Sequence, residues 1–119
     1  MSDSDVSDGF RQRLIHEIMM DLIPLAGTLG LELISAAPEW VEGRLAWSPE
    51  RCTSGGVLHG GTLMALTDNF GGVYAYLNMP PGTTTSTIES KTKFFRGVRE
   101  VHVEGVSRPL HVGKSTSVV

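Results

Sequence analysis

The stretch from Val57 to Leu77 restricts the possible folds of this chain more than any other. Placed on a helix, Leu63, Leu66, Phe70, Val73 and Leu77 form one apolar stripe at the spacing of a core-facing surface. The other side carries Gly61, Met64, Ala65, Asp68, Gly72 and Ala75. A side facing water is expected to hold several polar groups, whereas this one holds small and apolar residues around a single carboxylate. Such a helix has to be covered all round. A sheet of the same chain suits one side, and a second subunit suits the other.

The flanking segments supply that sheet. A first helix is expected from about Gly9 to Ile23, with Phe10, Leu14, Ile18 and Leu22 at four-residue steps, Ile15 and Met19 beside them, and Ser7 or Asp8 as cap. Pro24 interrupts it, and Gly30 ends the irregular turn that follows. Leu31–Ala37 and Trp40–Trp47 read as strands joined by a tight turn at Pro38 and Glu39. In the second, Val41, Gly43, Leu45 and Trp47 alternate with Glu42, Arg44 and Ala46, the period of a half-buried strand. After the central helix, Asn78 to Gly82 with two prolines is a stop signal. Three further strands are expected over Thr84–Phe95, Glu100–Ser107 and Ser115 to the end, with turns at Gly97 and Pro109–Gly113. The last runs into Val119 in a strand-like stretch, so a final strand or hairpin is expected to be missing from this chain. Helix, hairpin, long helix and consecutive antiparallel strands define an α+β domain.

A chain of 119 residues suits one domain, here residues 9–119, and the acidic, polar residues 1–8 are expected to be a disordered lead-in. That lead-in reverses the basic-then-apolar order of a secretory signal. No apolar run reaches the roughly 18 to 20 residues needed to cross a bilayer. Cys52 is the single cysteine and has no internal disulfide partner, which fits a reducing, cytoplasmic setting. It reads as an inert buried or loop thiol, since no catalytic arrangement accompanies it. The net charge of −3 is unevenly spread. Residues 91–119 hold Lys91, Lys93, Arg96, Arg99, Arg108 and Lys114 against Glu100 and Glu104, a tilt that could meet an anionic ligand or merely solvate strands. No basic-aromatic cluster points to nucleic acid.

Two places can carry chemistry. His59, Gly60 and Gly61 open the central helix, where the first N–H groups lack internal partners and lie at the positive end. Glycine there permits close approach of a carbonyl oxygen that becomes negative during reaction; equally, two glycines can simply serve a sharp turn. Asp68 is either a solvated mid-helix residue or a catalytic acid, and the bare face around it favours the second. His59 is a candidate general base or a loop-holding hydrogen-bonding group. It forms no metal-ligand spacing with His16, His102 or His111, so no metal is expected. From Gly61 to Asp68 the helix rises roughly 10 Å at about 1.5 Å per residue. A carbonyl held at the Gly60 N–H is then beyond reach of Asp68 on the same helix, since a reacting group must come within about 3 Å. If both act on one carbonyl, they come from two antiparallel helices of a dimer.

The chain resembles the hotdog-fold acyl-CoA thioesterases of the phenylacetate-degradation and 4-hydroxybenzoyl-CoA type over roughly residues 25 to 119. The resemblance is carried by Val57–Gly61, by Asp68 nine positions after His59, by Thr87–Glu89 with Lys93–Gly97, and by His111–Ser115. It implies a helix wrapped by an antiparallel sheet, pairing into homodimers or homotetramers, and metal-free hydrolysis of an acyl-CoA thioester at the dimer interface. Coenzyme A would enter only as part of the substrate, with no further cofactor and no nucleic-acid or membrane partner. By the resemblance Asp68 is nucleophile or general base, the Gly60 N–H polarises the carbonyl, His59 shapes the loop, Gly61 is a substrate-binding position, and Thr87 places a hydroxyl near the acid and its water. Arg108 and the turn Gly113, Lys114 and Ser115 match positions that contact coenzyme A. Thr53 stands where members often carry Asn or Gln against the thioester, and the usual last strand is absent. A hotdog-fold dehydratase or hydratase and a non-catalytic acyl-CoA-binding dimer are the alternatives; the first matches the Asp68 spacing poorly, and the second would not require Asp68.

Overall fold

The computed structural model describes residues 3–119. Helix α1 spans Asp3–Leu22 and is followed by a short helix α2, Pro24–Leu29. Strands β1 (Leu31–Ala37) and β2 (Trp40–Ala46) form a hairpin, and a loop with two 3-10 turns leads into the long helix α3, Gly60–Asn78. Strand β3, His102–Ser107, and the short strands β4 (His111–Val112) and β5 (Ser117–Val118) complete the chain. The start of α1 lies upstream of the expected Gly9, so Ser7 and Asp8 fall inside the helix rather than capping it. Of the lead-in expected over residues 1–8, Met1 and Ser2 lie outside the described residues.

The main sheet is antiparallel in the order β1-β2-β3, and α3 packs across it. Val41 and Leu45 are fully buried, as the alternation in β2 predicts. Between them Gly43 pairs with Leu33 on one side and Gly105 on the other. The two glycines leave a bare strip in the sheet, and the Phe70 ring of α3 lies over it. A Cβ at Gly43 would strike that ring and stand 2.6 Å from the Glu32 carbonyl oxygen, and one at Gly105 would meet Phe70 at 3.4 Å. Leu66, Phe70 and Val73 are buried there, with Leu63 and Leu77 half-buried at the ends, so the predicted stripe is the core face of the helix. The C-terminal end of α3 is tied down by Asn78, whose Nδ2 donates to the Pro38 carbonyl in the β1–β2 turn at 2.6 Å.

Helix α1 faces the other way from its most regular apolar row. Phe10, Leu14, Ile18 and Leu22 are exposed, whereas Met19 is buried and Ile15 and Met20 are partly buried against the core. The four-residue step identifies a stripe but cannot choose between two apolar rows on one helix; packing on β1 chooses. His16 contributes to that docking by accepting from the Leu33 N–H at Nδ1, 3.2 Å away. Pro24 stands at the first turn of α2, where its missing N–H is no loss, and Gly30 closes the helix in the left-handed region at φ 77°.

The C-terminal third departs from expectation. Thr84–Phe95 enters no ladder; its threonines and aromatics favour extended backbone, but a strand exists only through the hydrogen bonds of a neighbour, and none of the described strands offers one. Ile88 and Phe95 are among the most exposed large hydrophobic residues described. The strand expected from Glu100 begins at His102, because Val101 takes φ 64°, an unusual conformation for a β-branched residue. Pro109–Gly113, expected as a turn, contains β4, which pairs with Ser117–Val118 rather than with a longer strand from Ser115.

Candidate active site

The loop before α3 is held from three sides. The Arg51 guanidinium donates to the Leu29 carbonyl at 2.6 Å and the Ala46 carbonyl at 3.1 Å, joining the ends of α2 and β2. The Arg51 carbonyl in turn accepts from the His59 N–H at 2.9 Å, and the Leu58 N–H donates to Val98 at 2.9 Å. Arg51 is therefore a positioning residue for the helix start. A lone arginine in a turn-rich loop carries no sequence signal of that role. Cys52, half-buried beside it, donates its thiol to the Ser48 carbonyl at 3.3 Å, in keeping with a loop thiol.

His59 is the N-cap of α3. Its Nδ1 accepts from the Gly61 N–H at 2.8 Å, so the imidazole carries its proton on Nε2 and satisfies one of the orphan donors of the first turn. A Cβ at residue 61 would stand 2.9 Å from Nδ1, which explains the second glycine. The Gly60 N–H has no acceptor among the described residues. It belongs to a cavity of about 350 Å³ lined by Leu58, Gly60, Leu63, Phe94, Phe95 and Arg96 among others, with the Phe94 ring against Gly60. The site thus contains an unpaired donor at the positive end of a long helix, an aromatic wall and a cation. In the sequence Arg96 belongs to the basic tilt and, with Phe94, to the resemblance; their place beside Gly60 is decided by the course of the 84–97 segment.

Asp68 lies on the exposed side of α3, and the Thr87 hydroxyl donates to its Oδ1 at 3.0 Å across nineteen residues of chain. Around them a second cavity of about 250 Å³ is lined by Ile23, Leu25, Ala65, Asp68, Asn69, Gly72 and Thr87. The face is as bare as the sequence predicts: Met64 is exposed, and a Cβ at Gly72 would meet nothing within 4 Å. The two cavities share no lining residue. Gly60 and Asp68 are separated by eight residues, or roughly 12 Å of helix, as the rise requires. The remaining candidates are elsewhere. Thr53 sits exposed in the loop with its N–H donating to Val57, Arg108 stacks on Trp40 at 5.4 Å, and Gly113–Ser115 forms the exposed β4–β5 turn. None of them lines either cavity.

A long helix laid across an antiparallel sheet, with the helix start opened by a histidine and two glycines, defines the hotdog class. A thioesterase from Haemophilus influenzae has a solved structure that superposes with a TM-score of 0.72 at 26% identity, covering 76% of this chain and 63% of that one. Residues 55–119 match the family model described as "Thioesterase superfamily", and the chain belongs to that family. It is 28% identical to the proofreading thioesterase EntH of Cronobacter turicensis over 88 residues, 74% of this chain and 64% of that protein. It is 35% identical to the 1,4-dihydroxy-2-naphthoyl-CoA hydrolase of Escherichia coli over 63 residues, 53% of this chain and 46% of that one. The chain therefore spans less than two thirds of the length of these relatives. Among the described residues no helix is long and apolar enough to cross a membrane.

Proposed function

We propose that the chain is a thioester hydrolase acting on acyl-CoA, with each active site assembled from two copies. The observation that carries this reading is the Asp68–Thr87 pair on an open face of small residues, roughly a dozen ångströms along the helix from an unpaired Gly60 N–H. Neither group alone suffices: an acid needs a polarised carbonyl, and an oxyanion donor needs a nucleophile. Antiparallel packing of two α3 helices through Gly72, Ala75 and their neighbours brings Asp68 of one chain to Gly60 of the other. Two such dimers can further associate as a tetramer.

In the reaction, the thioester carbonyl oxygen accepts from the Gly60 N–H, which stabilises negative charge as the carbonyl carbon becomes tetrahedral. Asp68 either removes a proton from the attacking water or attacks the carbon itself, and Thr87 holds the carboxylate in place by donating to Oδ1. If water attacks, collapse expels the coenzyme A thiolate, which takes up the proton held by Asp68, and leaves the free acid. If Asp68 attacks, collapse expels the thiolate and leaves an acyl anhydride on Asp68, which water then hydrolyses to the free acid. His59 keeps Gly61 and the helix start in position, and Arg96, Arg108 and Lys114 are the cations available to the phosphates of coenzyme A. The kinship with a proofreading thioesterase and with an acyl-CoA hydrolase supports the reaction class.

Thiol release from a panel of short, medium and aromatic acyl-CoAs tests this, with Asp68→Asn alongside. Hydrolysis by the wild type and a loss on the order of a hundredfold or more in Asp68→Asn are expected. Binding of acyl-CoA without turnover by the wild type, or near-normal turnover by Asp68→Asn, would refute it and leave a binding dimer.

A further inference from the structure

Helix α1 leaves a row of large apolar side chains uncovered. Phe10 and Leu22 are each 61% exposed, and Leu14 and Ile18 between them are exposed as well. The row runs roughly 18 Å along the helix at about 1.5 Å per residue. Scattered exposed apolar residues are ordinary, whereas a contiguous row marks an interaction surface. The helix cannot roll this row inward. Its other side is already fixed on β1 by buried Met19, partly buried Ile15 and Met20, and the hydrogen bond from Leu33 to His16. The row also lies outside residues 55–119, the part that the thioesterase family model matches.

Two exposed charged residues, Arg11 and Asp21, share that face. At roughly 100° per residue they lie about 40° to either side of the middle of the row. Phe10 and Leu22, Leu14 and Ile18, and Arg11 and Asp21 are each equidistant from the level of residue 16. We propose that α1 is a self-association surface whose occupant is α1 of a second copy, antiparallel across a two-fold axis at that level. Phe10 then meets Leu22 of the second copy, and Leu14 meets Ile18. With the axes about 8–10 Å apart, Arg11 comes within ion-pair reach of the opposite Asp21, twice in each contact. A parallel pair would set Arg11 against Arg11 and Asp21 against Asp21, which is repulsive. A membrane surface fits poorly, because helices lying on it are rich in Lys and Arg. Here α1 carries Asp3, Asp5, Asp8, Glu17 and Asp21 against Arg11 and Arg13. Each copy offers on the order of 300–400 Å² of apolar side chain, about half the roughly 800 Å² per partner of a standard interface. The contact therefore suits the joining of two α3-paired dimers, where closed two-fold symmetry repeats it. It needs neither the active site nor the hydrolase reading.

Sedimentation of the purified chain over a concentration series reads the assembly, with Leu14→Glu breaking the α1 row and Gly72→Leu breaking the α3 face. The wild type should reach four chains, each variant two, and the double variant one. Leu14→Glu should raise the dissociation constant of the α1 step by about a hundredfold or more, since each contact loses two leucines from burial. Leu14 is exposed, so urea melts of this variant should match the wild type, and Leu14→Gln provides a milder break of the same step. Arg11→Asp should raise the constant about tenfold, and adding Asp21→Arg to it should restore the wild-type value. Wild-type association in both Leu14 variants would overturn the inference. So would separation into single chains by each of Leu14→Glu and Gly72→Leu on its own, which would place the row inside the α3-paired unit. A charge swap that fails to restore association would refute the antiparallel pairing. A two-chain wild type that Leu14→Glu separates and Gly72→Leu does not would retain the α1 contact and remove the α3 one, so the two interfaces fail separately.

Discussion

Mixing Asp68→Asn chains with Gly60→Pro chains tests the two-copy site directly. Proline removes the N–H proposed as carbonyl donor, and the local geometry accepts it. Residue 60 is the first of α3, where proline is favoured, and His59 before it has ψ 134°, inside the range that a following proline imposes. The Phe94 ring stands at ordinary contact distance from a Cβ at that position. Each variant alone should be inactive, because every site lacks either the acid or the donor. In a mixed dimer one site joins an intact Asp68 to an intact Gly60, and the other holds both defects. Random exchange at equal concentrations makes about half of the dimers mixed, and half of the sites in those are intact, so activity should recover to roughly a quarter of wild type, given the roughly 12 Å helix separation that divides the groups between chains. The assay is thiol release after subunit exchange, with exchange verified by differently tagged chains and folding by circular dichroism. Exchange without recovery would show that Asp68 and Gly60 act within one chain, and the antiparallel-helix site would be wrong.

Thr87→Val should lower kcat by about ten- to 150-fold with little change in KM, since a hydrogen bond to a carboxylate contributes about 1.5–3 kcal/mol; an unchanged kcat would remove Thr87 from the mechanism. Gly72→Leu meets open space in the single chain, so urea melts should move by no more than about 0.5 kcal/mol while sedimentation reports weakened assembly. Gly43→Ala, by contrast, drives a methyl into the Phe70 ring and the Glu32 carbonyl, and should destabilise by about 3 kcal/mol, the upper end for overpacking. A tolerated Gly43→Ala would mean that α3 does not sit on the glycine strip. Arg108→Ala and Lys114→Ala should raise KM more than they lower kcat, with the effect shrinking at high salt as phosphate contacts are screened; salt-independent changes would place the phosphates elsewhere.

Periodicity within one element was enough for much of this protein. The buried row of α3, the alternation of β2, the stop at Asn78 and the turn at Pro38 follow from residue types a few positions apart, because helix and strand repeat lengths are properties of the backbone itself. So does the separation of Gly60 from Asp68, which is a matter of helix rise. Which row of α1 faces inward, by contrast, was settled by β1, against the more regular row through Phe10 and Leu22. Thr84–Phe95 has strand composition but no neighbour to bond, and composition cannot supply one. The clamp of Arg51, the contact of Thr87 with Asp68 and the setting of Phe94 and Arg96 beside Gly60 all depend on segments distant in the chain meeting in space. Local sequence determines what each element is, because its propensities act over a single turn or pleat. The tertiary structure decides what each side chain touches, because burial and hydrogen bonding are relations between elements.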